Sequence, residues 1–177
     1  MDKYKIFLSH ISEHSQLAVE LKAKLEEAFL EAVHIFVSNH EEDIRIGDDW
    51  YKEIRTSLKE ADSVLLLLTS ESVKRPWVNF EAGGGELLDK HVVPIVGPDL
   101  GLDDLPPPFS RRQAISLADE KSLQELIAEI ARRADLTTPE VDLSTIVQTV
   151  QSTFTDSGSV DALGQYEDRG PASDESA

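Results

Sequence analysis

Val64-Leu65-Leu66-Leu67-Leu68 runs without a polar residue. It is far too short to span a bilayer, which takes about 20 apolar residues. Nor does it alternate with period two, so neither of its faces is meant for water. A β-compatible run of this kind reads as a central strand, buried on both faces of a parallel sheet. Working outward, Tyr4 to Leu8 and Val33 to Val37 (VHIFV) read as strands upstream, and Val92 to Val96 as one downstream. Gln113 to Leu117 is a shorter edge strand. Between these lie helical spacings. Leu17, Leu21, Leu25 and Ala28 predict a helix over about 13–30, and Trp50, Ile54 and Leu58 predict one ending near Ala61. Residues 71–89 are helical but broken by Pro76 and by Gly83-Gly84-Gly85. Leu123, Leu126, Ile127 and Ile130 define a last helix ending at Arg132-Arg133.

Strands alternating with helices are βαβ units. Their right-handed crossovers give an α/β, doubly wound sheet of five parallel strands with helices on both faces. In such sheets the ligand site lies beyond the carboxyl ends of the strands. That directs attention to Ser9-His10, Ser38-Asn39 and Thr69-Ser70.

Residues 1–134 suffice for one domain, able to bury roughly two-thirds of its unfolded surface. From Asp135 the character changes. Leu143, Ile146, Val147, Val150 and Phe154 form a weak helical stripe, so residues 135–155 read as an extension that docks on the domain or on a second copy. Residues 156–177 are rich in Ser, Gly, Asp and Glu, and disorder is expected there.

The 177-residue chain carries 34 acids and 17 bases, a net charge of −17. Both parts would repel a polyanion, so neither nucleic acid nor an anionic membrane is an expected partner. There are no cysteines, which excludes disulfides and thiolate chemistry and fits a reducing, cytoplasmic setting. The start of the chain enters a strand at once and shows no signal peptide. There is no P-loop. The ends of the first and third strands lack the acids of a phospho-receiver domain. The five histidines show no metal-ligand spacing, and no cofactor is expected.

Arg75-Pro-Trp-Val-Asn-Phe-Glu-Ala-Gly is the informative stretch. On a helix Trp77 and Glu81 share a face. A carboxylate beside an indole, partly out of water, suits a cationic ring or an oxocarbenium-like centre. Spacing alone equally allows Trp77 as core and Glu81 as a solvated helix residue. The glycines fit close packing or substrate access. His10 fits a substrate contact or a cap on the following helix, and Trp50 reads as helix packing.

Phe7-Leu8-Ser9-His10, the loop with Ile46-Gly47 before Trp50, and Trp77-x-x-x-Glu81 together resemble the Toll/interleukin-1 receptor (TIR) domain. The resemblance covers about residues 3–134. It is strongest to stand-alone prokaryotic members, where a PW-x-NFEAG segment is familiar. It implies the flavodoxin-like arrangement of the sheet. It also implies cleavage of NAD+, as substrate, at the nicotinamide–ribose bond, giving nicotinamide and ADP-ribose or a cyclic isomer. The catalytic glutamate maps onto Glu81. Ser9, His10 and Ile11 would line the nicotinamide-ribose pocket, with Ser38 and Trp77 beside them. Residues 39–49 correspond to the BB loop, where Arg45, Ile46, Gly47 and Asp48 would carry self-association and complete a neighbour's site. Prokaryotic signalling or antiviral defence, with an effector sensing the product, is the implied setting. A non-catalytic TIR–TIR adaptor and a deoxyribosyltransferase-like base transfer are the rival expectations.

Overall fold

The computed structural model describes residues 3–38 and 50–157. Among them, β1 (Tyr4–Ser9), β2 (Val33–Val37), β3 (Ser63–Leu68), β4 (His91–Val96) and β5 (Ile115–Ser116) form one sheet. Its order is β2-β1-β3-β4-β5 and every pairing is parallel. All six residues of β3 are buried. Val64, Leu66 and Leu68 face one layer of helices, and Leu65 and Leu67 the other. The unbroken apolar run is therefore the sheet's centre.

α1 (Ser15–Ala28), α4 (Glu120–Ala134) and α5 (Ser144–Ser157) cover one face, over Ile6, Leu8 and Ile95. α2 (Trp50–Glu60) and α3 (Pro76–Leu87) cover the other, over Phe7 and Val64. From β1 the chain steps outward to β2, then returns to β3 on β1's other side. This reversal is the switch point of the sheet, beyond whose carboxyl ends doubly wound folds place their ligands.

Several boundaries differ from expectation for local reasons. A 3-10 turn, Ser12–His14, precedes α1, which starts at Ser15 rather than Glu13. It stops before Leu30 because Leu30 and Glu31 take left-handed φ angles of 48° and 61°, and Glu31 N–H returns to Glu26 O at 3.0 Å. β5 shrinks to two residues, pairing only with Ile95 and Val96.

The stretch 71–89 divides at Pro76, but the glycines do not break α3. A Cβ on Gly85 would lie 3.0 Å from Val92 Cγ2 and 3.1 Å from Val64 Cγ2, and one on Gly84 would lie 2.9 Å from Leu58 Cδ2. The bare backbone lets α3 sit close on β3, β4 and α2. That contact offsets a helix penalty of about 1 kcal/mol per glycine. Close packing thus accounts for Gly84 and Gly85, whereas a Cβ on Gly83 would meet nothing within 4 Å.

Beyond residue 134, Leu143, Ile146 and Val150 are at most 1% exposed and belong to the same buried cluster as α1 and α4. α5 includes residues 156 and 157, which composition assigned to the tail. The rest of that tail, the loop 39–49 with Arg45, Ile46, Gly47 and Asp48, and the Trp50 side chain lie outside the described residues. Among the described residues, no helix is long and apolar enough to cross a membrane.

Candidate functional site

β1 ends in Ser9, which is wholly buried and faces the α2/α3 layer, as Phe7 does two residues earlier. α3 is aimed at it by the turn that follows β3. Thr69 N–H donates to Ser72 Oγ at 2.7 Å, and Ser72 N–H returns to Thr69 Oγ1 at 3.1 Å. This reciprocal pair reverses the chain into the 3-10 turn Ser72–Lys74. Arg75 is extended, as the residue before a proline prefers, and Pro76 starts α3 where its missing N–H costs nothing.

One turn into α3, Trp77 and Glu81 share a face. Trp77 Nε1–H donates to Glu81 Oε1 at 2.9 Å. Ser9 Oγ–H donates to Glu81 Oε2. Glu81 is 0% exposed, so the reading of it as a solvated helix residue does not hold. Its carboxylate stands out of water between two donors from different elements. Trp77 is half-buried, with its ring centroid 5.0 Å from that of Phe80, whose side chain reaches the surface.

The remaining predicted site residues divide. Ser38 is buried beside Ser9's strand, and both its N–H and Oγ–H donate to Leu8 O, at 3.0 and 3.2 Å. His10 is buried and its Nε2 lies 3.2 Å from Ser15 Oγ, at the start of α1. Ser15 Oγ–H donates to Ser12 O at 2.7 Å, so the proton shared with His10 is the imidazole's. Ile11 lies in the apolar cluster with Ile54, Val78 and Ala82.

Three residues bear on the site that spacing did not single out. Glu13 receives Arg75 Nη2 at 2.6 Å, linking the loop after β1 to the start of α3. Ser72 closes the turn before α3, and its Thr-x-x-Ser spacing after a strand was a readable local signal. His14 is buried against Phe154, 140 positions away, which no local signal carries. Among the described residues no group of three or more His, Asp or Glu side chains is placed to hold a metal ion.

The sequence over residues 6–128 matches the family model of the TIR domain. The chain belongs to the TIR domain family. TIR folds are also what it resembles in three dimensions. It superposes on the TIR domain of the Toll-related receptor TRR-2 from Hydra magnipapillata with a TM-score of 0.55 at 14% identity, over 72% of this chain and 98% of that one. For a metazoan TIR-STING receptor from C. gigas the TM-score is 0.51 at 17% identity, over 81% of this chain and 43% of that one. A prokaryotic SEFIR domain gives 0.50 at 19% identity, over 79% and 99%. At these identities the likeness speaks for the TIR fold alone. No curated protein matches the sequence. The TIR family includes both NAD+-cleaving members and non-catalytic adaptors.

Proposed function

We propose that this TIR domain cleaves NAD+ at the bond joining nicotinamide to ribose, with Glu81 as its catalytic carboxylate. One observation carries the reading. A water-excluded carboxylate is held by Ser9 and Trp77 at the carboxyl end of the sheet, where doubly wound folds keep their ligands.

The chemistry needs little else. The C1′–N bond breaks with its electron pair leaving on nicotinamide, which departs neutral, so no strong acid is required. Positive charge develops over C1′ and the ring oxygen. Glu81 opposes that charge in a poor dielectric, where a fixed counter-charge acts most strongly. As an acceptor it also suits contact with ribose hydroxyls. Attack by water at C1′, with loss of a proton, gives ADP-ribose; attack by a nucleophile of the same molecule gives a cyclic isomer. The indole of Trp77 offers an electron-rich face to the cationic nicotinamide ring before the bond breaks. Residues 39–49, with Arg45, Ile46, Gly47 and Asp48, begin directly after Ser38. We assign them to self-association that completes the pocket of a neighbouring copy. The setting that fits is cytoplasmic signalling or antiviral defence in a prokaryote, with an effector reading the product.

The test is nicotinamide release from NAD+ by concentrated protein. Wild type releases it and Glu81→Ala does not. No release by wild type, or equal release by both, contradicts the reading.

A second reading has its own support. Both Glu81 oxygens are engaged by protein donors, as in a carboxylate that merely ties α3 to β1. The chain would then be an adaptor working through residues 39–49. Under that reading Ile46→Ala or Gly47→Ala abolishes signalling, and a folded Glu81→Gln protein signals normally.

A further inference from the structure

Besides the packing of Ile11, three ties between the loop after β1, residues 10–15, and other elements bear on the site. Ser9, at its root, donates to Glu81. Glu13 is bonded by Arg75, at the entrance to α3. The third tie comes from outside the matched TIR region. The His14 ring stacks on Phe154 of α5, with centroids 5.2 Å apart and planes 17° from parallel.

Phe154 is held firmly. α5 is anchored one and two turns earlier by Val150 and Ile146, both fully buried, so the ring is presented by a packed helix. It also lies over the carboxyl end of β4. A Cβ on Gly97 would come within 2.8 Å of Phe154 Cζ, so the ring fills the space that any side chain at position 97 would need. His14 is buried, and its Nδ1 has no hydrogen-bond partner among the described residues. The stack with Phe154 is therefore one of the contacts that hold this ring.

We infer that Phe154 is a positioning residue for the Glu81 site. Through His14 it fixes the loop from Ser9 to Ser15, and with it the Ser9 hydroxyl that holds the carboxylate. Without the ring, a void opens between His14 and Gly97, the loop gains freedom, and Ser9 donates to Glu81 for less of the time. An element beyond residues 6–128 thus sets the geometry of a site built within them. The activity part of this inference rests on Glu81 being the catalytic carboxylate; the restraint on the loop does not.

The experiment uses the full chain in four forms: wild type, Phe154→Ala, Phe154→Tyr and Leu126→Ala. Leu126→Ala weakens the same buried cluster from α4, a different helix. Hydrogen exchange at residues 10–15 and initial rates of nicotinamide release are measured on each. Phe154→Ala speeds exchange across 10–15 by about tenfold or more and lowers kcat by about tenfold, with KM nearly unchanged. Phe154→Tyr, which keeps the ring, restores both. Leu126→Ala lowers the melting temperature but leaves exchange at 10–15 and kcat near wild type. The inference fails if Phe154→Ala leaves exchange at 10–15 unchanged, or if Leu126→Ala reproduces both effects. A wild type that releases no nicotinamide overturns the catalytic role of Glu81, and the exchange data still decide whether α5 restrains the loop.

Discussion

The two ends of the sheet handle polar groups in opposite ways. Among the described residues eight polar side chains are buried, and seven of them gather at the carboxyl ends of the strands: Ser9, His10, His14, Ser38, Thr69, Ser72 and Glu81. Only Ser63 lies at the opposite end. There, Glu129 gathers Arg132 and Arg133 at 2.7 Å each, with side chains 31–65% exposed. Burying a polar group costs free energy even when it is bonded, whereas an exposed ion pair costs and contributes little. Stability alone would favour the second arrangement at both ends. The concentration of buried polar groups at one end is the arrangement the proposed site calls for.

Disturbing the two ends should separate them. Among changes to the partners of Glu81 and to its helix, the largest effect is expected from Trp77→Phe and Ser9→Ala. Each removes a donor from buried Glu81, costs about 1–3 kcal/mol in stability, and lowers the rate of NAD+ cleavage by about tenfold or more. Denaturant unfolding beside initial rates checks both. Gly85→Ala comes next. Its new methyl meets Val64 and Val92, so unfolding should show a loss of about 1–3 kcal/mol, and the displaced α3 should cost activity as well. Gly83→Ala is the counterpart on the same helix. With open space around it, it should raise stability by up to about 1 kcal/mol and leave cleavage unchanged.

The smallest effects concern pH. Burial lowers the His14 pKa below its ordinary 6.5, with Asp99 and Glu13 opposing. The unfolded chain then takes up the proton first, so this contribution to stability is present above pH 6.5 and fades as pH falls below it. His91, also lowered by burial, behaves likewise, so the share of His14 is read as the difference between wild type and His14→Phe. At the other end, hydrogen bonds from Arg132 and Arg133 pull the Glu129 carboxyl down to about 2. Its contribution holds above pH 4.5 and is lost as pH falls toward 2. Melting curves from pH 8 to pH 3 should show a wild-type difference from His14→Phe that fades below pH 6.5, and a small difference from Glu129→Gln that holds down to about pH 4.5 and shrinks below it.

The sheet was legible in the sequence because burial on both faces leaves a local trace, the apolar run 64–68, and because helical spacing separates the strands. Trp77 and Glu81 were legible as a pair because four positions on a helix fix their proximity. The bond from Ser9 to Glu81 was not, since it joins residues 72 positions apart and exists only once β1 and α3 are packed. The continuity of α3 through three glycines was hidden for a related reason. Propensity argues for a break, and the contacts with Leu58, Val64 and Val92 that outweigh it come from three other elements. The short β5 and the stack of His14 on Phe154 likewise depend on distant partners.

The central claim is that the charge of Glu81, and not merely its place in the fold, does the work. Glu81→Gln tests it most directly, since the amide can accept from Trp77 and donate to Ser9. The measurement is nicotinamide released from NAD+ by folded wild type, Glu81→Gln and Glu129→Gln at matched concentration. The account predicts release by wild type and Glu129→Gln, and a fall of at least about 100-fold for Glu81→Gln at little cost in melting temperature. Equal release by Glu81→Gln and wild type would contradict it.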